Sequence, residues 1–145
     1  MRFWDSSALV PLVVQEPSSG MMTGLLARDP DCLVWWATPV EIGSALARLE
    51  RESALPPAVG RRARRRLETL AEAWHEVRPL DAVRREAGRL LRVHPLRAMD
   101  ALQLAAAVTA AHALGGPGAL PFVCLDRRLS EAAAREGFPV EPEPA

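Results

Sequence analysis

Short, wholly apolar runs recur along this chain, and each gives way at once to a segment with helical spacing. Phe3-Trp4, Cys32-Leu33-Val34-Trp35-Trp36 and Phe122-Val123-Cys124-Leu125 show no polar alternation. Runs of that kind belong to strands covered on both faces, which is the situation of a parallel sheet. A strand followed each time by a helix predicts one mainly parallel sheet of four or five strands with helices on both sides, an α/β architecture. The 145 residues suffice for one domain with a sizeable core and not for two. We read 1–140 as that domain and 141–145 as a frayed tail.

Along the chain, Ala8–Val14 and Met21–Arg28 read as helices, the second ended by Asp29-Pro30-Asp31. Thr38-Pro39-Val40-Glu41 is a strong helix start, with Thr38 as N-cap, Pro39 at the first helical position and Glu41 where a capping box wants a carboxylate. Ile42, Ala45, Leu46 and Leu49 supply its buried stripe. Pro56-Pro57 opens a long helix to about Trp74, with Val59, Ala63, Leu67, Leu70 and Trp74 inward. Its other face carries Arg61, Arg62, Arg64, Arg65 and Arg66. Glu68 lies within reach of Arg64 and Arg65, so this is either a solvated, partly neutralised face or a contact for RNA or an acidic partner.

His75–Leu80 is a weaker third strand. Asp81 is read as the cap of a helix over Ala82–Val93, whose Val83, Ala87, Leu90 and Leu91 face inward. Leu96–Ala107 is apolar nearly all round, hence central, yet carries Asp100 in its first turn. Burying a carboxylate there is costly unless something pairs with it. Gly115-Gly116-Pro117-Gly118 is a loop, Arg127–Glu136 a last helix stopped by Gly137, and Phe138-Pro139-Val140 a short edge strand.

Absences narrow the chemistry. All 18 basic side chains are arginine, and lysine does not occur. Phosphate loops of the Walker type, Schiff-base enzymes, receiver domains and haloacid-dehalogenase-type phosphatases each depend on lysine. The formal net charge is zero, which argues against holding nucleic acid by bulk positive field. Cys32 and Cys124 form no CxxC motif and read as buried free thiols of a reducing compartment. Asp5 interrupts the start before a signal-peptide core can form, and Ala101–Leu114 falls short of the about 20 apolar residues of a membrane span. A cytoplasmic protein with no membrane partner is expected. His75, His94 and His112 sit on unrelated elements and are taken as structural or surface residues.

Two strands end in aspartate, Asp5 and Asp126, and two helices carry an acid in the first turn, Glu41 and Asp100. In a parallel sheet these four positions share the edge where open α/β sheets place their ligands. Three have a bland alternative: Asp5 caps its helix, Glu41 closes a capping box and Asp100 answers the helix dipole. Several carboxylates at one edge cannot all ionise without a cation, and hard oxygen donors suit Mg²⁺ or Mn²⁺. One or two such ions activate water for displacement at phosphorus.

Asp5-Ser6-Ser7-Ala8-Leu9, Pro39-x-Glu41, Ala98-Met99-Asp100-Ala101-Leu102-Gln103-Leu104-Ala105 and Leu125-Asp126-Arg127-Arg128-Leu129, in this order, resemble the motifs of PIN domains. The likeness is closest to VapC-type toxins of bacterial toxin–antitoxin pairs and covers essentially the whole chain. It implies a three-layer α/β/α sandwich with the first strand central, bringing Asp5 and Asp126 side by side. It further implies a metal-dependent endoribonuclease, homodimeric, acting on RNA and silenced by a VapB-like antitoxin. Asp5 and Asp100 would be direct metal ligands, Glu41 and Asp126 direct or through water, and Ser6 a hydrogen-bond donor into the site. Arg97 would touch an RNA phosphate or form a salt bridge within the fold. The chain departs from many relatives at Cys124, where a hydroxyl often stands two residues before the last aspartate; a thiol is the poorer donor. Two rival functions remain: a PIN-like binding module with a weak or silent metal site, and a nuclease of the same chemistry directed at DNA.

Overall fold

The computed structural model describes residues 1–143. Five parallel strands form one sheet: β1 (Arg2–Trp4), β2 (Cys32–Trp35), β3 (His75–Val77), β4 (Phe122–Val123) and β5 (Val140–Glu141). Their order, β3-β2-β1-β4-β5, puts β1 at the centre. Register follows from Phe3 opposite Leu33 on one side and Phe122 on the other. Strand side chains alternate between faces, and here both faces are buried. Phe3, Leu33, Trp35, Phe122 and Cys124 point into one core, Trp4, Cys32, Val34 and Val123 into the other. The apolar runs lack polar alternation because neither face meets water.

Helices complete the two outer layers. α1 (Ser6–Val13), α2 (Ser19–Arg28), α3 (Thr38–Arg51) and α4 (Pro57–Ala73) cover the Trp4 face, while α5 (Asp81–Val93), α6 (Ala98–Ala113) and α7 (Arg127–Arg135) cover the Phe3 face. The expected α/β/α sandwich is what the chain forms. α6 is the most deeply set, with Ala101, Leu104, Ala105, Ala106 and Ala107 fully buried. Its run of alanines lets that helix lie close to the sheet and to α5, because nothing longer than a methyl intervenes.

Several local expectations are corrected. Leu80, not Asp81, is the N-cap of α5; Asp81 is its first helical residue and pairs with Arg84 on the surface. Leu91 is 45% exposed and packs into neither core, since α5 is a narrow-striped helix carried by Val83, Ala87 and Leu90. Arg64 passes over Glu68 and makes a two-pronged contact with Glu50 of α3, at 2.6 and 2.9 Å. That leaves Arg61, Arg62, Arg65 and Arg66 without an ion pair among the described residues. The second helix begins at Ser19, two residues early, because the Ser19 hydroxyl donates to Pro11 O and accepts from Glu16 N, tying the turn to α1. Glu141, assigned to the tail, belongs to β5 and holds Arg2 of the central strand at 2.6 Å. Residues 144–145 of that tail lie outside the described residues.

The cysteines and histidines are placed as expected. Both thiols are free and buried. His94 is buried against Glu136 at 2.6 Å, linking α5 to α7, and His75 and His112 are exposed.

Candidate functional site

The site forms where β1 and β4 end and α1, α3, α6 and α7 begin. Asp5 follows β1 directly and is only 3% exposed. Its backbone N–H donates to Val123 O of the neighbouring strand, which fixes the point at which the chain leaves the sheet. Its carboxylate accepts from Ser7 N–H at 2.9 Å and so caps α1. The capping role is thus real, but it does not account for the burial. A surface aspartate caps equally well, whereas this one is shielded from solvent and bonded to no cationic side chain among the described residues.

Ser7, which carries no role of its own in the sequence motif, is the pin of the site. Its hydroxyl accepts from Leu125 N–H at 2.9 Å and Asp126 N–H at 3.3 Å, locking the β4 exit onto the start of α1. Cys124 donates from Sγ toward Asp5 Oδ2 at 3.6 Å, and its thiol also lies 3.6 Å from Ser7 Oγ. The thiol therefore occupies the hydroxyl position as a weak donor, and burial with the Asp5 charge beside it pushes its pKa up to about 12. Asp126 caps α7 by accepting from Leu129 N–H at 2.8 Å and remains exposed.

Glu41 departs from the capping box. α3 is capped at Ala37 with no side-chain bond, and Thr38 is the first helical residue, fully buried. The reason lies on α6: Gln103 Nε2 donates to Thr38 Oγ1 at 3.1 Å and to Glu41 Oε1 at 2.8 Å. Ser6 Oγ donates to the other oxygen, Glu41 Oε2, at 3.2 Å. Both halves of the expected box are thereby drawn inward to tertiary partners. Gln103 reads locally as ordinary helix and Thr38 as an N-cap, so neither is legible as a site residue; only their full burial as a polar pair marks them.

Electrostatics tie the four acids together. Burial raises the Asp5 pKa, opposed by the Ser7 bonds, and Asp100 adds to the rise. Burial and then Asp5 raise that of Glu41 to about 7. Burial and then Asp126 raise that of Asp100, with Arg97 and Arg128 pulling the other way. Asp100 and Asp126 open into a surface cleft of about 1010 Å³ walled by Arg97, Arg127, Arg128 and Glu131; Asp5 and Glu41 do not line it. Arg127 is paired with Glu131, while Arg97 and Arg128 have no ion pair among the described residues. The salt bridge expected as one role of Arg97 is absent among the described residues.

Among the described residues no three His, Cys, Asp or Glu side chains are drawn into a ready-made metal cage. The donor set nonetheless fits a hard divalent cation. Asp5 meets only an amide and a thiol, Glu41 only an amide and a hydroxyl, and Asp5, Asp100 and Asp126 each raise the pKa of a neighbouring acid. Such a group lacks one thing, which is positive charge.

A stability profile follows. Because the folded-state pKa values of Asp5, Glu41 and Asp100 are raised, the native state binds protons more tightly than the unfolded chain. Metal-free protein is expected to lose thermal stability as pH rises from about 5 to about 7, the window set by Glu41. Melting in EDTA across this range is the measurement; a Tm that climbs with pH would contradict the desolvated acid cluster.

No family model matches the chain. The backbone is similar to that of FitAcB from Neisseria gonorrhoeae, with a TM-score of 0.64 over 97% of this chain and 96% of that one at 17% identity. It is also similar to PAE2754 from Pyrobaculum aerophilum, with a TM-score of 0.58 over 90% and 83% at 23% identity. These likenesses define the class as a PIN-like fold. In sequence, Ribonuclease VapC45 and Ribonuclease VapC49 of Mycobacterium tuberculosis (strains CDC 1551 / Oshkosh and ATCC 25618 / H37Rv) are each 33% identical over 143 residues, spanning 97% of this chain and 94% of theirs. The chain belongs to the VapC ribonuclease family.

Proposed function

We propose that this chain is the ribonuclease toxin of a toxin–antitoxin pair, hydrolysing RNA phosphodiester bonds at the acid cluster with Mg²⁺ or Mn²⁺. The observation that carries the reading is Asp5: a carboxylate 3% exposed, with neutral donors only, beside two further acids. The kinship with named ribonucleases supports RNA as substrate. Asp5 and Asp100 would hold the ion, with Glu41 and Asp126 direct or through water. A bound ion would supply acidified water and stabilise charge developing at phosphorus.

The remaining work falls to the protein. Ser6 holds Glu41 in place, and Ser7 and Cys124 hold Asp5. Arg97 and Arg128 present unpaired charge on the cleft wall, where a phosphate next to the scissile one would lie. A VapB-like antitoxin, a homodimer and a cytoplasmic setting belong to the same reading; no helix among the described residues is long and apolar enough to cross a membrane.

Cleavage of end-labelled total RNA by purified protein, with Mg²⁺, Mn²⁺ or EDTA, tests it. Metal-dependent cutting that stops in EDTA is expected. No cutting by folded protein free of antitoxin would favour the binding-module reading, and equal cutting of single-stranded DNA would move the activity to a nuclease blind to the 2′-hydroxyl.

A further inference from the structure

We infer that Gln103 is a positioning residue of the acidic site, setting Glu41 through its carboxamide and so fixing the place of the α3 acid relative to the α6 acid. The inference deepens the ribonuclease reading and rests on it.

Gln103 lies three residues after Asp100 on α6, one turn along the same face. It is fully buried, in a helix whose other fully buried residues are alanine and leucine. A side-chain amide has two N–H donors and one carbonyl acceptor. Both donors are spent on α3, at Thr38 Oγ1 (3.1 Å) and Glu41 Oε1 (2.8 Å). The carbonyl Oε1 is buried and has no partner among the described residues.

That asymmetry is informative. A glutamine serving only the packing of two helices would be replaced at lower cost by methionine, since an orphaned buried carbonyl is unfavourable. The orientation is set by the acceptor: a carboxylate demands a donor, so the NH₂ faces Glu41 and the carbonyl goes without. Ser6 fixes the second carboxylate oxygen from α1. Glu41 is thus held from two helices by uncharged donors, which orient it without neutralising it. An arginine in place of Gln103 would cancel the charge that a cation needs; an amide leaves it available.

The test uses Gln103→Met, close in size and without donors. Mn²⁺ binding is read by the loss of the free-ion electron paramagnetic resonance signal, which needs neither RNA nor turnover. Wild type should bind, and Q103M about 10- to 100-fold more weakly, the usual penalty for removing a group that orients a ligand. The metal-free Tm should change little, because the lost bonds are offset by removal of the orphaned carbonyl. In RNA cleavage kcat should fall while KM stays, since Gln103 touches no substrate. In a Glu41→Gln background, Q103M should add less than about twofold, because the two act as one unit.

Should Q103M not fold, Gln103→Asn, which withdraws the amide by one methylene, is expected to give the same weakening. Unchanged Mn²⁺ affinity in either variant, or a full effect of Q103M in the Glu41→Gln background, would overturn the positioning role. The two failures are separable: wild type that neither binds Mn²⁺ nor cuts RNA removes the ribonuclease reading itself, whereas wild type that does both beside an unaffected variant removes only the role of Gln103.

Discussion

Asp5→Asn is expected to stop RNA cleavage and, at the same time, to make the metal-free protein more stable. Asparagine keeps the size of the side chain and an oxygen that can accept from Ser7 N–H, so the cap of α1 survives. It removes the one fully desolvated negative charge at the sheet edge and the repulsion felt there by Glu41. Activity should fall on the order of 10³-fold, the scale for losing a group that holds the charge-stabilising element of a transition state. In EDTA at pH 8 the Tm of the variant should exceed that of wild type, and the difference should shrink as pH falls and the wild-type acids take up protons. Paired melting curves and cleavage rates decide the matter. Cleavage within tenfold of wild type would make Asp5 a cap and nothing more, and a lower Tm in EDTA would show that its charge supports the fold. Asp5→Ala is the less informative variant, because it also deletes the cap, worth about 1 kcal/mol.

Phe122→Ala carries the largest expected loss of stability. β4 is two residues long, yet it lies between the central strand and β5. Phe122 is fully buried, stacks on Phe3 with ring centroids 5.3 Å apart and meets Phe138 at 5.8 Å. Few backbone bonds hold so short a strand, so the rings fix its register. Truncation should cost about 3–5 kcal/mol from lost burial and the cavity left behind. For a domain of this size that lowers the Tm by about 10 °C and takes a large share of total stability. Val93→Ala, at a position 57% exposed, should stay within about 0.5 kcal/mol. Denaturant midpoints at matched slope measure both. A cost for Phe122→Ala below about 1 kcal/mol would contradict the packing of this layer. Asp126 emerges from the same strand, so the damage should reach the site as well.

The strands were legible because burial on both faces writes itself as unbroken apolar runs, and the helices because their inward positions recur near every 3.6 residues. Errors fell where a side chain chose between a local and a distant partner. Arg64 has Glu68 one turn away and takes Glu50 across the helix pair instead, a partner whose distance in sequence gives no signal. Glu41 stands in the first turn of its helix, as the spacing predicts, but the capping box gives way to donors that lie 35 and 62 residues distant. Leu91 sits beside Leu90 at the margin of a helical stripe, and the width of the covering layer, not the period, decides which one is buried.

By itself the sequence determined that four acids would stand at the ends of strands and the starts of helices, in a sheet covered on both faces, because those positions follow from local pattern and the geometry of a parallel sheet. It also determined the absence of lysine chemistry. Only the tertiary structure decided how deeply each acid is set. Asp5 is buried because β1 is central, and Asp126 is exposed because α7 begins at the surface. The amide of Gln103, the hydroxyls of Ser6 and Ser7 and the Cys124 thiol become parts of the site through contacts between elements far apart in the chain. Hydrogen bonds reach only about 3 Å, so which donors meet which acids depends on packing that no single segment encodes.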